Sequence, residues 1–206
     1  MPLLPTTPTG QALAKWDCYY RTDAREPGWF EDFYRALVHE VLDHNLGAAV
    51  TSFLLDDSEI FAGYFPLFDE IFRRSHSAWF AGRSRETIFR AAVDHALASP
   101  ATQTWGERQT APLAHILFGG KLPAFLGFDR GPIQIRGGRA TVHQGQIFRM
   151  AGRGTSFAPA YRMVADFGED GVHTNLPGGV SDRRFSSLYC NDLANWIAGR
   201  YKKLPW

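Results

Sequence analysis

Residues 156–206 read SFAPAYRMVADFGEDGVHTNLPGGVSDRRFSSLYCNDLANWIAGRYKKLPW. Residues 156–167 and 172–176 have the apolar, turn-bounded texture of two strands. Residues 187–198 follow with Leu188, Leu193, Trp196 and Ile197, a helical pattern that Gly199 ends. Just upstream, residues 133–136, a turn at Gly137-Gly138 and residues 140–150 predict a hairpin. After Pro100 glycine and proline become frequent and apolar residues begin to alternate, so the second half is β-rich.

The first half has a different period. From Pro27, the run PGWFEDFYRALVHEVLDHNLG places Trp29, Phe30, Phe33, Tyr34, Leu37, Val38, Val41 and Leu42 at helical spacing. Pro27 suits the first position and Gly47 the stop. Residues 48–81 hold Phe53, Phe61, Tyr64, Phe65, Phe68, Ile71, Phe72, Trp79 and Phe80, predicting one or two short helices broken near Pro66. A third helix is capped by Ser84, runs through Ile88, Ala92 and Leu97 and stops before Pro100. Residues 1–12, rich in proline and threonine, predict an extended lead. The expected organisation is that lead, then one unit over 13–206: helical over 27–99, β-rich over 130–178 and closed by a helix over 187–199. Helices, then strands, then a helix make an α+β pattern.

Composition excludes several roles. The 206 residues are 45% hydrophobic, enough for a sizeable core. The 22 basic and 21 acidic residues leave a charge of +1, which offers no footprint for nucleic acid or an anionic membrane. No stretch approaches a spanning length, and the N-terminal lead lacks the basic start and apolar run of a signal peptide. Cys18 and Cys190 are too few and too far apart for a zinc site or redox pair. They read as lone buried thiols, with a single disulfide as the alternative.

Self-contained catalytic signatures fail on inspection. Gly179-Val180-Ser181-Asp182-Arg183 has arginine where a nucleophile elbow closes with glycine. Gly152-Arg153-Gly154-Thr155-Ser156-Phe157 lacks the third glycine of a dinucleotide fingerprint, and Gly119-Gly120-Lys121 lacks the flanks of a P-loop. His39 and His44 lie five apart, a spacing that turns one away from the other's helix face. Asp56, Asp57 and Glu59 lack the spacing of a calcium loop. Arg183-Arg184 and Lys202-Lys203 read as solvated surface. Pro2 could serve as an N-terminal base only if it opened a strand in a site, and its surroundings are unpatterned. No catalytic, cofactor-binding or metal-binding residue is therefore assigned, and no cofactor is expected.

The closing stretch resembles the C-terminal end of the penicillin acylase family. Tyr161, Arg162, Met163, Val164 and Asp166 match its GxSYRMVxDL block; Leu176, Pro177, Gly179 and Ser181 match LPxGxSG. Phe185, Ser186, Tyr189, Leu193, Trp196, Gly199, Tyr201 and Leu204 match SPHYxDQLxxWxxGxYxPL. Leu13, Trp16 and Asp17 resemble its LxxWDG with Cys18 in place of glycine. Thr104-Trp105-Gly106-Glu107 with Ala114-His115 resembles its WG(x)nHxL, and Ala140-Thr141-Val142-His143 its DTVN. Asp182 for glycine, Leu188 for histidine and Cys190 for aspartate depart from the pattern. Among the matched residues, Trp16, Trp105, Trp196, Tyr161 and Tyr189 are expected to hold the core, Gly179 and Gly199 to satisfy turns, and Arg162 and Asp166 to make structural polar contacts.

This resemblance implies part of an αββα N-terminal nucleophile hydrolase sandwich and a linear amide (acyl–amine) hydrolase. Such enzymes use a serine whose own α-amino group is the base, with an asparagine and a backbone N–H stabilising the oxyanion. In the family both blocks precede the region matched here. The expectation is therefore a C-terminal portion, inactive without the nucleophile-bearing part, with that part as partner; the alternative is a non-catalytic remnant serving as a structural or binding module. The family is often periplasmic or secreted, and its β-lactam association supplies a name rather than a substrate. A sheet cut from a larger sandwich leaves open edges, so self-association is also expected.

Overall fold

The structure is a computed structural model and describes residue 4 and residues 6–57, 61–139, 141, 143, 155 and 158–205. Helix and small antiparallel sheets combine, so the α+β class holds. The residues 140, 142, 144–154 and 156–157, which include most of the expected hairpin's second strand and all of the Gly152–Phe157 motif but Thr155, lie outside the described residues.

The helices are α1 (Pro8–Lys15), α2 (Glu26–Leu46), α3 (Ala48–Ser52), α4 (Phe61–Arg73), α5 (Arg85–Leu97), α6 (Trp105–Arg108) and α7 (Leu193–Ala198). α2 begins and ends where its sequence predicts, with Pro27 in the first turn and Gly47 at φ 80° closing it. α5 starts from Ser84, whose hydroxyl accepts from Thr87 N at 3.0 Å.

Two helices depart from expectation. Residues 8–12 are not extended: Thr7 caps α1 by accepting from Gly10 N at 3.2 Å, and Pro8 occupies the first helical position. A threonine followed by proline is a helix start as readily as a loop. α4 runs through Pro66, where the sequence predicts a break. Pro66 and Leu67 face outward while Phe65, Phe68, Ile71 and Phe72 are buried, so packing on the opposite face sustains the helix despite the lost N–H.

One core joins α2, α4 and α5. Leu37, Val38, Val41 and Leu42 meet Phe68, Ile71 and Phe72 from α4 and Ile88 and Ala92 from α5. Aromatic edges fill the seam, as in Tyr34–Phe72 at 5.9 Å and Phe72–Phe89 at 6.2 Å.

The second half is built otherwise. β1 (Thr110–Ala111) pairs antiparallel with β2 (Ile133–Gln134). β3 (Arg162–Ala165), β4 (Val172–Asn175) and β5 (Lys202–Leu204) form a three-stranded antiparallel sheet in that order. Only Ala111, Ile135 and Trp196 make a buried hydrophobic cluster there among the described residues.

The terminal helix is shorter than predicted. Residues 184–192 are turns, and Cys190 sits in the left-handed region at φ 54°, which breaks the helical run before Leu193. The Lys202-Lys203 pair is part of β5 rather than free surface. Lys202 Nζ meets the Asp192 carboxylate at 2.9 Å and Lys203 Nζ meets Glu169 at 3.3 Å.

Asp192 organises this end. It is buried and accepts from Leu176 N at 2.9 Å, Asn195 Nδ2 at 3.1 Å and Lys202 Nζ at 2.9 Å. Burial alone would raise its pKa, but the bonds from Lys202, Asn195 and Leu176 more than offset this and hold it below the ordinary value. A lowered folded pKa contributes stability that is complete above the unfolded value, about 3.9, and is lost as pH falls through the folded value. Asp192→Asn is therefore expected to destabilise the protein at neutral pH and to flatten the acid limb of its stability profile. Urea midpoints measured from pH 2 to 7 would check this, and an unchanged acid limb would contradict it.

Candidate functional site

Sequence blocks far apart in the chain converge around Trp105. Its indole is buried and Nε1 donates to Gly137 O at 2.9 Å. Tyr20 stands edge-on to it at 5.2 Å, and Trp16 in turn meets Tyr20 at 5.4 Å and Phe30 at 5.6 Å. α6 is held by a reciprocal cap: Thr104 N donates to Glu107 Oε2 at 2.7 Å and Glu107 N to Thr104 Oγ1 at 3.4 Å. Its first amides dock on the loop between α1 and α2, Trp105 N on Ala24 O and Gly106 N on Thr22 O, both at 2.7 Å. A Cβ on Gly106 would lie 2.8 Å from the Thr22 Cβ, so a larger residue requires the loop at Thr22 to shift.

Gly137 closes the arrangement from the other side. Its N–H donates to Tyr20 O at 2.9 Å. Its φ is 83°, and an added Cβ would collide with the His143 carbonyl. The Trp16-Asp17 block, the Trp105-Gly106-Glu107 block and the Thr141/His143 block thus share one neighbourhood.

Asp17 shapes the loop between α1 and α2. It accepts from Tyr19 N at 3.0 Å and pairs with Arg21 at 2.8 Å; the Arg21 and Tyr19 bonds hold its carboxyl below the usual range. The turn that results puts Cys18 at φ 63°. This is the position where the family pattern has glycine, and the conformation explains that preference. Cys18→Gly is expected to stabilise the protein by about 1 kcal/mol, read as a raised thermal midpoint. A lower midpoint would mean that the side chain contributes more than the backbone strain removes.

The loop separates two cavities. One, of about 630 Å³, is lined by residues 18–23 with Arg136, Gly137, Thr141 and His143. His143 is half-buried, and burial, reinforced by Arg162 and Arg136, holds its pKa below the ordinary value. Its imidazole is therefore a neutral acceptor or donor at neutral pH. Its Nδ1 has no partner among the described residues. Thr141 Oγ1 is occupied by the Gly138 turn. The other cavity, of about 440 Å³, is walled by α1, α2 and α5 and is almost wholly carbon-lined. A charged groove of about 800 Å³ runs between α2 and α5.

Among the described residues no serine, threonine or cysteine hydrogen-bonds a histidine. Ser181 Oγ accepts from Arg183 N at 3.2 Å within a loop, not in a strand-to-helix elbow, and Gly179 packs against Leu188 O. Gly120 N donates to Asp129 Oδ2 at 2.9 Å, so a carboxylate occupies the amide that a phosphate would need. His39 and His44 do border one groove, together with His95, because their side chains flank it from α2. No group of metal-ligating side chains occurs among the described residues, and no helix among them is long and apolar enough to cross a membrane. The cysteines are free, Cys18 exposed and Cys190 half-buried, which corrects the expectation of buried thiols.

The matched residues divide by burial. Trp105 and Trp196 are core, as expected, whereas Tyr161 is half exposed and Trp16 and Tyr189 are intermediate. Arg162 is buried, donates to Trp196 O at 2.8 Å and lies 4.3 Å from its ring. Asp166 caps a turn through Gly168 N at 2.8 Å.

Apart from Tyr34, placed on the apolar stripe of α2, the sequence patterns single out none of the residues in a buried polar cluster around Glu31. Glu31 accepts from Tyr20 Oη at 2.7 Å and faces Arg139 Nε at 3.4 Å, while Tyr34 Oη donates to Asp69 at 2.7 Å. The signal was present: Glu31 falls between Pro27 and Tyr34 on the apolar stripe of α2, where a carboxylate requires a partner.

A comparison with the curated proteins finds no match. The family model described as Penicillin amidase matches residues 2–206, the span that holds every block gathered around Trp105 and Trp196, and the chain belongs to the penicillin amidase family.

Proposed function

We propose that this chain is the C-terminal portion of an amidase of the αββα sandwich type that hydrolyses a linear acyl–amine bond, and that it works joined to or assembled with a nucleophile-bearing portion. The observation that carries the reading is the state of the three-stranded sheet. Met163 and Val164 on β3 and Leu204 on β5, the outer strands of this sheet among the described residues, are exposed, as are Tyr161 and Phe167 beside them. Sheet edges with exposed apolar residues are what a larger sandwich covers. Family membership supplies the amide chemistry, and in this reading the reacting serine and its α-amine come from the other portion. The Trp105 and Trp196 clusters then act as scaffold.

The test is to purify the protein from its host without denaturant, weigh every co-eluting polypeptide by intact mass and assay the fraction on a panel of acyl-anilides. Amide hydrolysis by a fraction holding a chain that begins with serine would support the proposal. An inert, monodisperse chain with a cooperative melt would leave the non-catalytic module as the better reading.

A further inference from the structure

The carbon-lined cavity between α1, α2 and α5 has no part in the reading above. Leu13, Trp16, Phe30, Phe33, Phe89 and Val93 supply most of its wall. The polar tips of its aromatic lining point elsewhere: Tyr20 Oη is bonded to Glu31 and Trp16 Nε1 to Tyr19 O at 3.1 Å. What remains toward the cavity is hydrocarbon, the thiol of Cys18 and one cation, Arg85. An apolar-lined cleft favours guests that remove hydrocarbon surface from water.

Arg85 sets the chemistry of the guest's head. Its guanidinium centre lies 4.3 Å from the Phe89 ring, and its Nε donates to Phe72 O at 2.7 Å. No described carboxylate pairs with it, and the neighbouring Glu86 is engaged by Arg90 at 2.9 Å. The guanidinium is thus fixed at one edge, with its two Nη groups open to a planar anion.

We propose that this cavity binds a monocarboxylate with a single apolar tail, of the size of a medium-chain fatty acid, the tail among the α1, α2 and α5 side chains and the carboxylate on Arg85. About 440 Å³ sits at the small end of ligand cavities, which suits one chain rather than a two-tailed lipid.

The test uses the full chain, purified as above with whatever accompanies it. Decanoate and 1-decanol, each kept below its aggregation threshold, are titrated by calorimetry. In parallel, N-ethylmaleimide labelling of Cys18 is followed by peptide mass, with Cys190 as the internal reference. Saturable decanoate binding that protects Cys18 and spares Cys190 is expected. Arg85→Gln should weaken decanoate about tenfold or more while leaving decanol unchanged, the loss of one charge-assisted bond. Ala14→Trp, an exposed position on α1 that borders the cavity, should abolish binding of both without lowering the melting temperature. Absence of saturable binding overturns the proposal, as does binding that survives Ala14→Trp. Equal losses for decanoate and decanol in Arg85→Gln overturn the carboxylate assignment. None of these outcomes depends on amide hydrolysis.

Discussion

Arg139→Met is expected to lower the free energy of unfolding by about 3–5 kcal/mol, the range for a buried ion pair that loses one member. Glu31 is only 6% exposed. Without Arg139 its carboxylate would keep the Tyr20 hydroxyl and lose its facing charge. The guanidinium also lies 4.0 Å from the Tyr34 ring and 4.2 Å from Phe65, so the variant loses ring contacts as well. Burial pulls the Arg139 pKa down, but Glu31, with the tyrosines, more than offsets it and leaves it raised. Burial, then the Glu31 charge, pushes Tyr20 up, and burial with the Asp69 bond does the same for Tyr34, so both hydroxyls remain donors through the neutral range. The double variant Glu31→Gln/Arg139→Met should recover part of the loss, because a neutral pair needs no counter-charge. Urea unfolding of the single and double variants reads this directly. A single-variant loss under about 1 kcal/mol would place the pair among solvated ion pairs instead.

The second large effect is expected at Trp105. Trp105→Ala should cost about 3–5 kcal/mol, the usual range for emptying a buried aromatic site. Trp105→Phe keeps most of the packing against Tyr20 but leaves Gly137 O without its indole donor, and should cost about 1–3 kcal/mol. Thermal melts of both variants, with near-ultraviolet dichroism to follow the Trp16–Tyr20–Trp105 ring contacts, test the assignment. If phenylalanine were as damaging as alanine, the hydrogen bond rather than the ring volume would hold the converging blocks together.

The helical half was legible in the residues because its period is local. Pro27, Gly47 and Ser84 mark the ends of α2 and α5 almost to the residue. The misreadings have local causes too. Thr7-Pro8 reads equally as cap or coil, and Pro66 is tolerated only because phenylalanines further along the helix are already buried.

The second half was harder to read since its stability is not carried by alternation. Its described cluster of buried hydrophobics is small, and the work is done by Asp192, Arg162 and Lys202, whose partners no spacing rule finds. β5 was missed because two consecutive lysines resemble free surface, although each pairs with a carboxylate. The candidate site was legible only as family blocks. That Trp16, Trp105 and Gly137 should share a neighbourhood depends on the Tyr20 ring between the two indoles and on bonds between distant residues, such as Gly137 N to Tyr20 O and Trp105 N to Ala24 O. Cys18 is the exception, because glycine in the family pattern already signals the left-handed turn that the structure shows.

The Glu31–Arg139 pair spans 108 positions of chain. A ribosome adding roughly 5–20 residues per second delivers the arginine about 5–20 s after the glutamate has emerged. During that interval α2 can nucleate with its neighbours, but burying Glu31 would strand a charge. Glu31 is therefore expected to stay solvated in the nascent helical half until Arg139 arrives. The order of synthesis would then delay the burial of this one carboxylate, and a pause in the codons between the two would lengthen that interval.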